Sequence, residues 1–512
     1  MCQIEIVIRL KESDGQVVSE TTLATQVFDL LDVEAIPRPD RVDRMEEVTL
    51  QEGWHIMRQL FLKQWEVIEQ RELQRRLDNA AVQPIQLDGK DSLKVVSRLG
   101  ILELPRQVCI DPTTGNHSIP LNDLLPKHEG PLTTRGLQEW ACLLPQELPF
   151  RTAQRLLGWM THDPEVLSFN QVRHWVQVHG EAIRQAEAAD VQELLAHPDL
   201  AGLKPNLVPG ERPRRRPDWP EELSAAVEKA LATPGSPPPE GISSADWERV
   251  LTYQRETVAE LGHPEADLAR LGPEVRPQQV VAATDGIVVR RQERHRWLEI
   301  RTARVTTANG YRYLSGLGET FLSQLMLFLL LCRSSGLTWL TLIGDGARWI
   351  RDLFQSLTGW TRQEFILDWY HLKHKCYELT SLICRGRKAK AELLGLLLLD
   401  LWRGQVDAAL TRLSEYRPQA KNEAKLDELI SYLEKNRMAI PNYRERRAHS
   451  LYIGSGQAEK ANDLLVARRQ KHQGMHWEEK TSDALCTLKT LLLNQAWDTY
   501  WQERRVPSLA VA

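Results

Sequence analysis

Two apolar runs of strand-forming residues, Val280 to Val289 (VVAATDGIVV) and Leu340 to Ala347 (LTLIGDGA), are each punctuated by an Asp-Gly step, at Asp285 and Asp345. Short aliphatic and β-branched runs bounded by turn residues are consistent with strands buried on both faces. A single Asp-Gly after such a run is mostly turn chemistry. Two of them constrain the chain more tightly, because adjacent strands would then show two carboxylates at one sheet edge. Paired carboxylates of that kind suit divalent metals.

At 512 residues the chain is long enough for about three domains of roughly 150 residues each. A composition of 42% hydrophobic and 26% charged residues is globular. The formal net charge of -4 excludes a global basic field, so a polyanion would be met by local clusters. The cysteines at 2, 109, 142, 332, 376, 384 and 486 include no C-x-x-C pair. That argues against a zinc ribbon and for reduced thiols in the cytoplasm. The N-terminus MCQIEIVIRLKESDG alternates like a strand and carries early charges, unlike a signal peptide. The longest apolar runs, Phe321 to Cys332 and Leu393 to Leu399, fall short of the roughly 18–20 residues of a membrane span. A soluble cytoplasmic protein with no membrane partner is expected.

Along the chain, residues 1–85 read as a strand followed by helices, with Gln51 to Leu77 amphipathic and suited to packing on a neighbour or a second copy. Residues 86–130 switch to alternation around the turn DPTTGN and read as a small β-rich module, in which His117 needs no functional account. Residues 131–203 are helical again. Ser168 is the expected N-cap of a helix offering Asn170, Gln171, Arg173 and His174 near its start, as a helix-turn-helix reader of DNA would. An ordinary helical hairpin has the same pattern. Residues 204–245 form a proline-rich linker carrying Arg212, Arg214, Arg215 and Arg216, either solvated or following a phosphate backbone.

Residues 246–371 read as three strands, helix, strand, helix and strand, the order of a ribonuclease H-like sheet. Residues 372–450 are helical and charged, an insertion. In residues 451–512 the turn IGSG opens a helix capped by Ser455. A third acid for the metal pair would come from this helix, either Glu459 or Asp463 one turn on. Arg468, Arg469, Lys471 and His472 follow, with Trp477 beyond them. These cations could hold phosphates, or simply complement the helix end. Trp477 could stack on a nucleotide or belong to the core, and Trp349 and Trp369 read as core.

Taken in order, IGDGARWIRDLF, LDWYHL and IGSGQAEKANDLLVARRQKHQGMHW resemble the blocks of bacterial insertion-sequence DDE transposases of the ISKra group. The resemblance runs from about Ala282 to Trp477. It implies an α/β ribonuclease H-like catalytic core with an all-helical insertion, preceded by mostly helical N-terminal DNA-binding modules. Carried over, the first and second Asp fall on Asp285 and Asp345, and the Glu on Glu459 rather than Asp463. The wider Mutator-like group carries an acid or cysteine shortly before a histidine, which Asp368 and His371 are similar to, and His371 would orient the scissile phosphate or a metal-bound water. What the resemblance implies is a transposase that binds terminal inverted repeats and cuts and joins DNA with two Mg²⁺ ions, or Mn²⁺, on Asp285, Asp345 and Glu459. Its partners would be double-stranded DNA and further copies of the chain, placing it at the bacterial nucleoid. Arg173, His174, Arg214, Arg215, Arg468, Arg469, Lys471 and Trp477 would be the DNA contacts. An inactive or domesticated copy acting as a DNA-binding protein is the alternative, and a nuclease on RNA or branched DNA a third reading.

Overall fold

The computed structural model describes residues 2–11, 15, 17–28, 40–78, 85–126, 130–196, 275–293, 296–471 and 474–509. The linker arginines Arg212, Arg214, Arg215 and Arg216, and His472, lie outside the described residues. The chain divides into two units, 1–178 and 179–512.

In the first unit, β1 (Cys2–Lys11) and β2 (Val17–Phe28) pair antiparallel. The helix α1 (Arg41–Asp78) follows. Next come β3 (Gln86–Ser97), β4 (Gly100–Ile110), β5 (His117–Ser118) and β6 (Leu132–Thr133), in a sheet of order β5-β4-β3-β6. Alternation puts Leu93, Val95, Leu102 and Leu104 on one face of the β3-β4 pair, in a cluster with Trp65 of α1. The Trp65 indole donates to the Pro105 carbonyl at 3.0 Å. Residues 86–130 are therefore not an isolated module, since α1 forms part of their core. Val96 lies on the opposite face and joins α2 (Arg135–Leu143), α3 (Phe150–Met160) and the start of α4 (Phe169–Ala196) through Leu137, Leu157 and Val172. Ser168 caps α4 in a reciprocal box: its Oγ accepts from Gln171 N at 3.3 Å, and its own N–H donates to Gln171 Oε1 at 2.8 Å.

The second unit takes α4 from His179 onward, then β7 (Gln279–Arg290), β8 (Trp297–Thr307), β9 (Gly310–Gly316), α5 (Gly318–Ser334), β10 (Trp339–Gly344), α6 (Arg348–Ser356) and β11 (Arg362–Leu367). These strands form one mixed sheet of order β11-β10-β7-β8-β9. β7, β8 and β9 run antiparallel in succession, while β10 pairs parallel with both β7 and β11. The all-buried run Trp339–Gly344 occupies an inner position, as a strand covered on both faces must. One face packs with α5, whose Phe321, Leu325 and Phe328 share a core with Ala303 and Val305. Full burial of each such side chain is worth about 1.5–3 kcal/mol.

Helices α7 (Trp369–Ile383), α8 (Arg387–Trp402), α9 (Val406–Tyr416), α10 (Glu423–Lys435) and α11 (Tyr443–Ala448) then follow, with no strand among the described residues of 372–450. They close on the sheet through an aromatic trio of Trp369, Trp402 and Tyr443, and the Tyr443 hydroxyl donates to the Leu367 carbonyl at 2.7 Å. Helix α12 (Gly456–Asn462) runs without a break through a π-helical turn, Asp463–Ala467, into α13 (Arg468–Gln470). It covers the face of β7 and β8 opposite α5, where Thr306 donates to Gln457 at 3.0 Å. Helices α14 (Glu479–Leu493) and α15 (Trp497–Glu503) complete the unit. No described helix is long and apolar enough to cross a membrane.

Candidate metal centre

The parallel pairing of β7, β10 and β11 stops at one level of the second unit's sheet, where β10 and β11 end while β7 continues to Arg290. Ile343 pairs with Ala283, and Gly344 with Leu367, so continuing both registers puts Asp285, Asp345 and Asp368 on one row. The Asp368 N–H extends the ladder by donating to the Gly344 carbonyl at 2.8 Å. Each aspartate lies just beyond the carboxyl end of the parallel pairing: the backbone leaves the sheet at Asp345 and Asp368, whereas Asp285 stays within β7, paired with Thr302 of β8. Gly344 admits no side chain: a Cβ there would lie 2.7 Å from Ile350 and 3.1 Å from the Thr284 carbonyl.

The carboxylates differ in how far local donors already satisfy them. Asp345 Oδ1 accepts from Ala347 N at 2.8 Å, an Asx turn opening α6. Asp285 Oδ1 accepts from Gly286 N at 2.7 Å and its Oδ2 from Asn462 Nδ2 at 2.8 Å. Asp368 is fully buried and caps α7. Its Oδ1 accepts from Tyr370 N at 2.6 Å and His371 N at 3.0 Å, while Oδ2 accepts from both the N–H and the hydroxyl of Ser455. A carboxylate offers about four lone-pair sites. Those of Asp368 are all taken, so its charge is held by the fold, whereas Asp285 and Asp345 keep oxygen lone pairs open at the edge.

Burial, then the neighbouring Asp345 charge, raises the Asp285 carboxyl to about 6, with His371 and Asp368 also felt there. A carboxylate pushed upward this way gains strongly from a nearby cation.

Glu459 arrives from α12. The segment before it is pinned to the sheet edge: Trp369 N donates to the Ile453 carbonyl at 3.0 Å, and Ser455 is bound by Asp368 as described. Upstream, Arg446 grips Glu364 of β11 with two bonds of 3.0 Å and donates to the Tyr452 carbonyl at 2.8 Å. Gly454 fits where it does because a Cβ would come within 2.9 Å of the Tyr370 ring. A carboxylate oxygen of Asp368, a ring nitrogen of His371 and a carboxylate oxygen of Glu459 thereby lie within 4.8 Å of one another, the Asp368 oxygens being already engaged by their four donors.

The expected trio was Asp285, Asp345 and Glu459; the tight trio is Asp368, His371 and Glu459, with Asp285 and Asp345 beside it in the strand-end row. Asp368 joins because β11 ends in the same register as its neighbours. Asp463 does not join. It pairs with Lys460 at 3.4 Å and Arg468 at 2.9 Å, the latter five residues on. The π turn that begins at Asp463 brings that five-residue spacing into contact.

Several proposed DNA contacts are placed differently from expectation. Trp477 is buried, donating its indole N–H to the Gln470 carbonyl at 2.9 Å. Its backbone forms a bridge to Arg291, so it extends the sheet rather than facing a nucleotide. Arg469 is buried over the Trp477 ring, 4.9 Å from its centroid. A buried aromatic whose indole N–H is satisfied and the buried cation stacked on it are a packing pair, not a surface. Arg468 and Lys471 are exposed, Arg468 paired with Asp463. In the first unit Arg173 is half-buried and His174 exposed on α4. Trp369 is core, as expected, and Trp349 is partly buried beneath Arg301 at 4.7 Å. Sequence reasoning missed Asn462 and Thr302, which are uncharged and become visible only when α12 is laid on the sheet, and it read Ser455 as a helix cap rather than as the partner of Asp368.

The donors available at the edge are carboxylate oxygens and one imidazole. Oxygen-rich sets of this type fit Mg²⁺ or Mn²⁺, and the lack of a thiolate argues against softer metals. No curated protein matches the chain. Residues 299–504, which carry Asp345, Asp368, His371, Glu459 and Asn462 but not Asp285, are similar to the Uncharacterised protein family (UPF0236).

Proposed function

We propose that the chain is a DNA transposase built on a ribonuclease H-like core, which cuts and joins the ends of its own element. The observation that carries the reading is the row of Asp285, Asp345 and Asp368 where the parallel pairing of three strands stops, met by Glu459 from a helix on the sheet. The strand order β11-β10-β7-β8-β9, three antiparallel strands continued by two parallel ones, supports the ribonuclease H-like assignment. So does the helical stretch inserted before Glu459.

Asp285, Asp345 and Glu459 would hold two Mg²⁺ or Mn²⁺ ions, with His371 beside them. Bound there, such ions supply an activated nucleophile and charge stabilisation for in-line phosphoryl transfer. The chain's own work is to gather the carboxylates and fix their directions. Asp368 secures the Glu459 helix, and no covalent protein nucleophile is needed. The α3-α4 pair of the first unit is the proposed reader of the inverted repeats, and pairing of two ends calls for more than one copy of the chain.

The test is cleavage of DNA carrying the element's ends by the purified full-length protein with Mg²⁺. Nicking by the wild type and none by Asp285→Asn or Glu459→Gln is expected. Equal nicking by all three proteins sinks the assignment, and end binding without any nicking favours an inactive DNA-binding copy.

A further inference from the structure

Asn462 lies one helical turn beyond Glu459 and faces the sheet, 8% exposed. Its Nδ2 donates to Asp285 Oδ2 at 2.8 Å, and its Oδ1 accepts from the Thr302 hydroxyl at 2.7 Å. Thr302 is fully buried on β8, directly opposite Asp285 across the β7-β8 pairing. The three side chains make a closed relay from β8 to α12 to β7.

An amide side chain has two unlike ends of nearly the same shape. With the oxygen toward Asp285, lone pairs would face a carboxylate and the Thr302 hydroxyl would lose its acceptor. The Asp285 carboxylate, an acceptor only, takes the NH₂ end of Asn462, and the Thr302 hydroxyl donates to the oxygen end and holds the amide in place. With Gly286 N on the other oxygen at 2.7 Å, each Asp285 oxygen carries one donor and neither can swing. One lone pair on each oxygen stays directed to the strand-end row. Packing alone gives no reason for an amide here, because burying one costs about 1–3 kcal/mol unless it is hydrogen-bonded.

We propose that Asn462 is a positioning residue for the Asp285 carboxylate, itself held in place by Thr302. The proposal rests on the reading of Asp285 as a metal ligand. Residues that orient a ligand in this way typically contribute about 10–100-fold to metal affinity. They act without touching the metal.

The experiment is titration of Mn²⁺ alone into the full-length protein, with free Mn²⁺ read by electron paramagnetic resonance. The proteins are wild type, Asn462→Ala, Thr302→Val, Thr302→Ser and the double variant Asn462→Ala/Thr302→Val. Circular dichroism and melting confirm that each is folded. Asn462→Ala is expected to weaken Mn²⁺ binding about 10–100-fold. Thr302→Val should weaken it in the same direction, Thr302→Ser should restore wild-type affinity, and the double variant should be no weaker than Asn462→Ala. If Asn462→Ala does not fold, the Thr302→Val and Thr302→Ser pair carries the test. Folded variants that bind Mn²⁺ like the wild type, or a Thr302→Ser as weak as Thr302→Val, overturn the positioning role while the metal site stands. A wild type that binds no Mn²⁺ overturns the metal site and the positioning role together.

Discussion

Ser455 donates both its backbone N–H and its hydroxyl to the buried Asp368 carboxylate, which ties the first turn of the Glu459 helix to the end of β11. Asp368 is at once the cap of α7 and the anchor of α12, so one side chain sets the angle between the two helices that bring His371 and Glu459 together.

Removing the hydroxyl in Ser455→Ala leaves the backbone donor in place and should cost about 1.5–3 kcal/mol, the usual worth of a hydrogen bond to a charged group. Asp368→Asn should cost more, because its amide NH₂ would face N–H and O–H donors. Urea unfolding measures both. Proteolysis around 449–455 should accelerate in the same order, and equal stability of Asp368→Asn and Ser455→Ala would contradict the anchoring role.

Much of this region was legible in the sequence because strands covered on both faces leave uninterrupted apolar runs. Val280–Ala283 and Leu340–Ile343 read as strands and are strands. Ser168 and Ser455 read as helix starts. Ser168 makes the capping bonds, but Ser455 spends its hydroxyl on Asp368 rather than on its own helix. Trp477 and Arg469 were misplaced because a tryptophan after a run of cations looks the same whether it faces solvent or a sheet edge. Only the backbone bridge to Arg291 decides it. The α-helical spacing of Asp463 from Glu459 is as expected, but its pairing with Arg468 rests on a π turn that leaves no compositional mark.

The Asp285 carboxyl, raised to about 6 chiefly by burial and next by Asp345, implies a specific pH dependence without metal. The folded protein holds the proton to higher pH than the unfolded chain, whose aspartates titrate near about 3.9. The contribution of Asp285 to stability is therefore present below the unfolded value and lost as pH rises from about 4 to 6. Asp285→Asn mimics the protonated acid. In metal-free buffer the Tm of the wild type should therefore fall by a few degrees relative to that of Asp285→Asn between pH 4 and pH 7, whatever the amide itself costs against its two donors. Saturating Mn²⁺ should raise the Tm of the wild type and offset that fall. A wild type that gains stability relative to Asp285→Asn over that range in chelator contradicts the assignment.

Glu459 and Asp463 are one turn apart and chemically alike, so substituting each separates their roles. Glu459→Gln should abolish nicking and weaken Mn²⁺ binding, since its oxygen lies within 4.8 Å of the His371 and Asp368 ligand atoms. Asp463→Asn breaks only half-exposed pairs with Lys460 and Arg468. Such pairs are worth about 0–1 kcal/mol, so its nicking rate and melting should stay close to wild type. The reverse ranking would move the third acid to Asp463.

The first unit carries an exposed row on α3 that the proposed DNA reading puts to use. Arg151, Arg155 and Trp159 are spaced four apart and so share a helix face, and Trp159 is 80% exposed. Neither arginine has a carboxylate partner among the described residues. The Arg151 guanidinium lies 5.0 Å from the Phe169 ring, next to the exposed Asn170 and His174 of α4. Gln171 is already occupied by the Ser168 cap, which leaves Asn170, His174 and the half-buried Arg173 as the side chains able to reach base edges. Each phosphate contact contributes about 0.9 to the slope of log affinity against log salt on duplex DNA. Arg151→Ala/Arg155→Ala should therefore lower that slope by about 1.8 on any duplex. Asn170→Ala and His174→Ala should instead leave the slope unchanged and narrow the preference for the element's ends. Anisotropy titrations across a salt series, with end and scrambled duplexes, measure both. An unchanged slope in the double arginine variant would remove α3 from the interface, and DNA binding would have to be sought elsewhere on the chain.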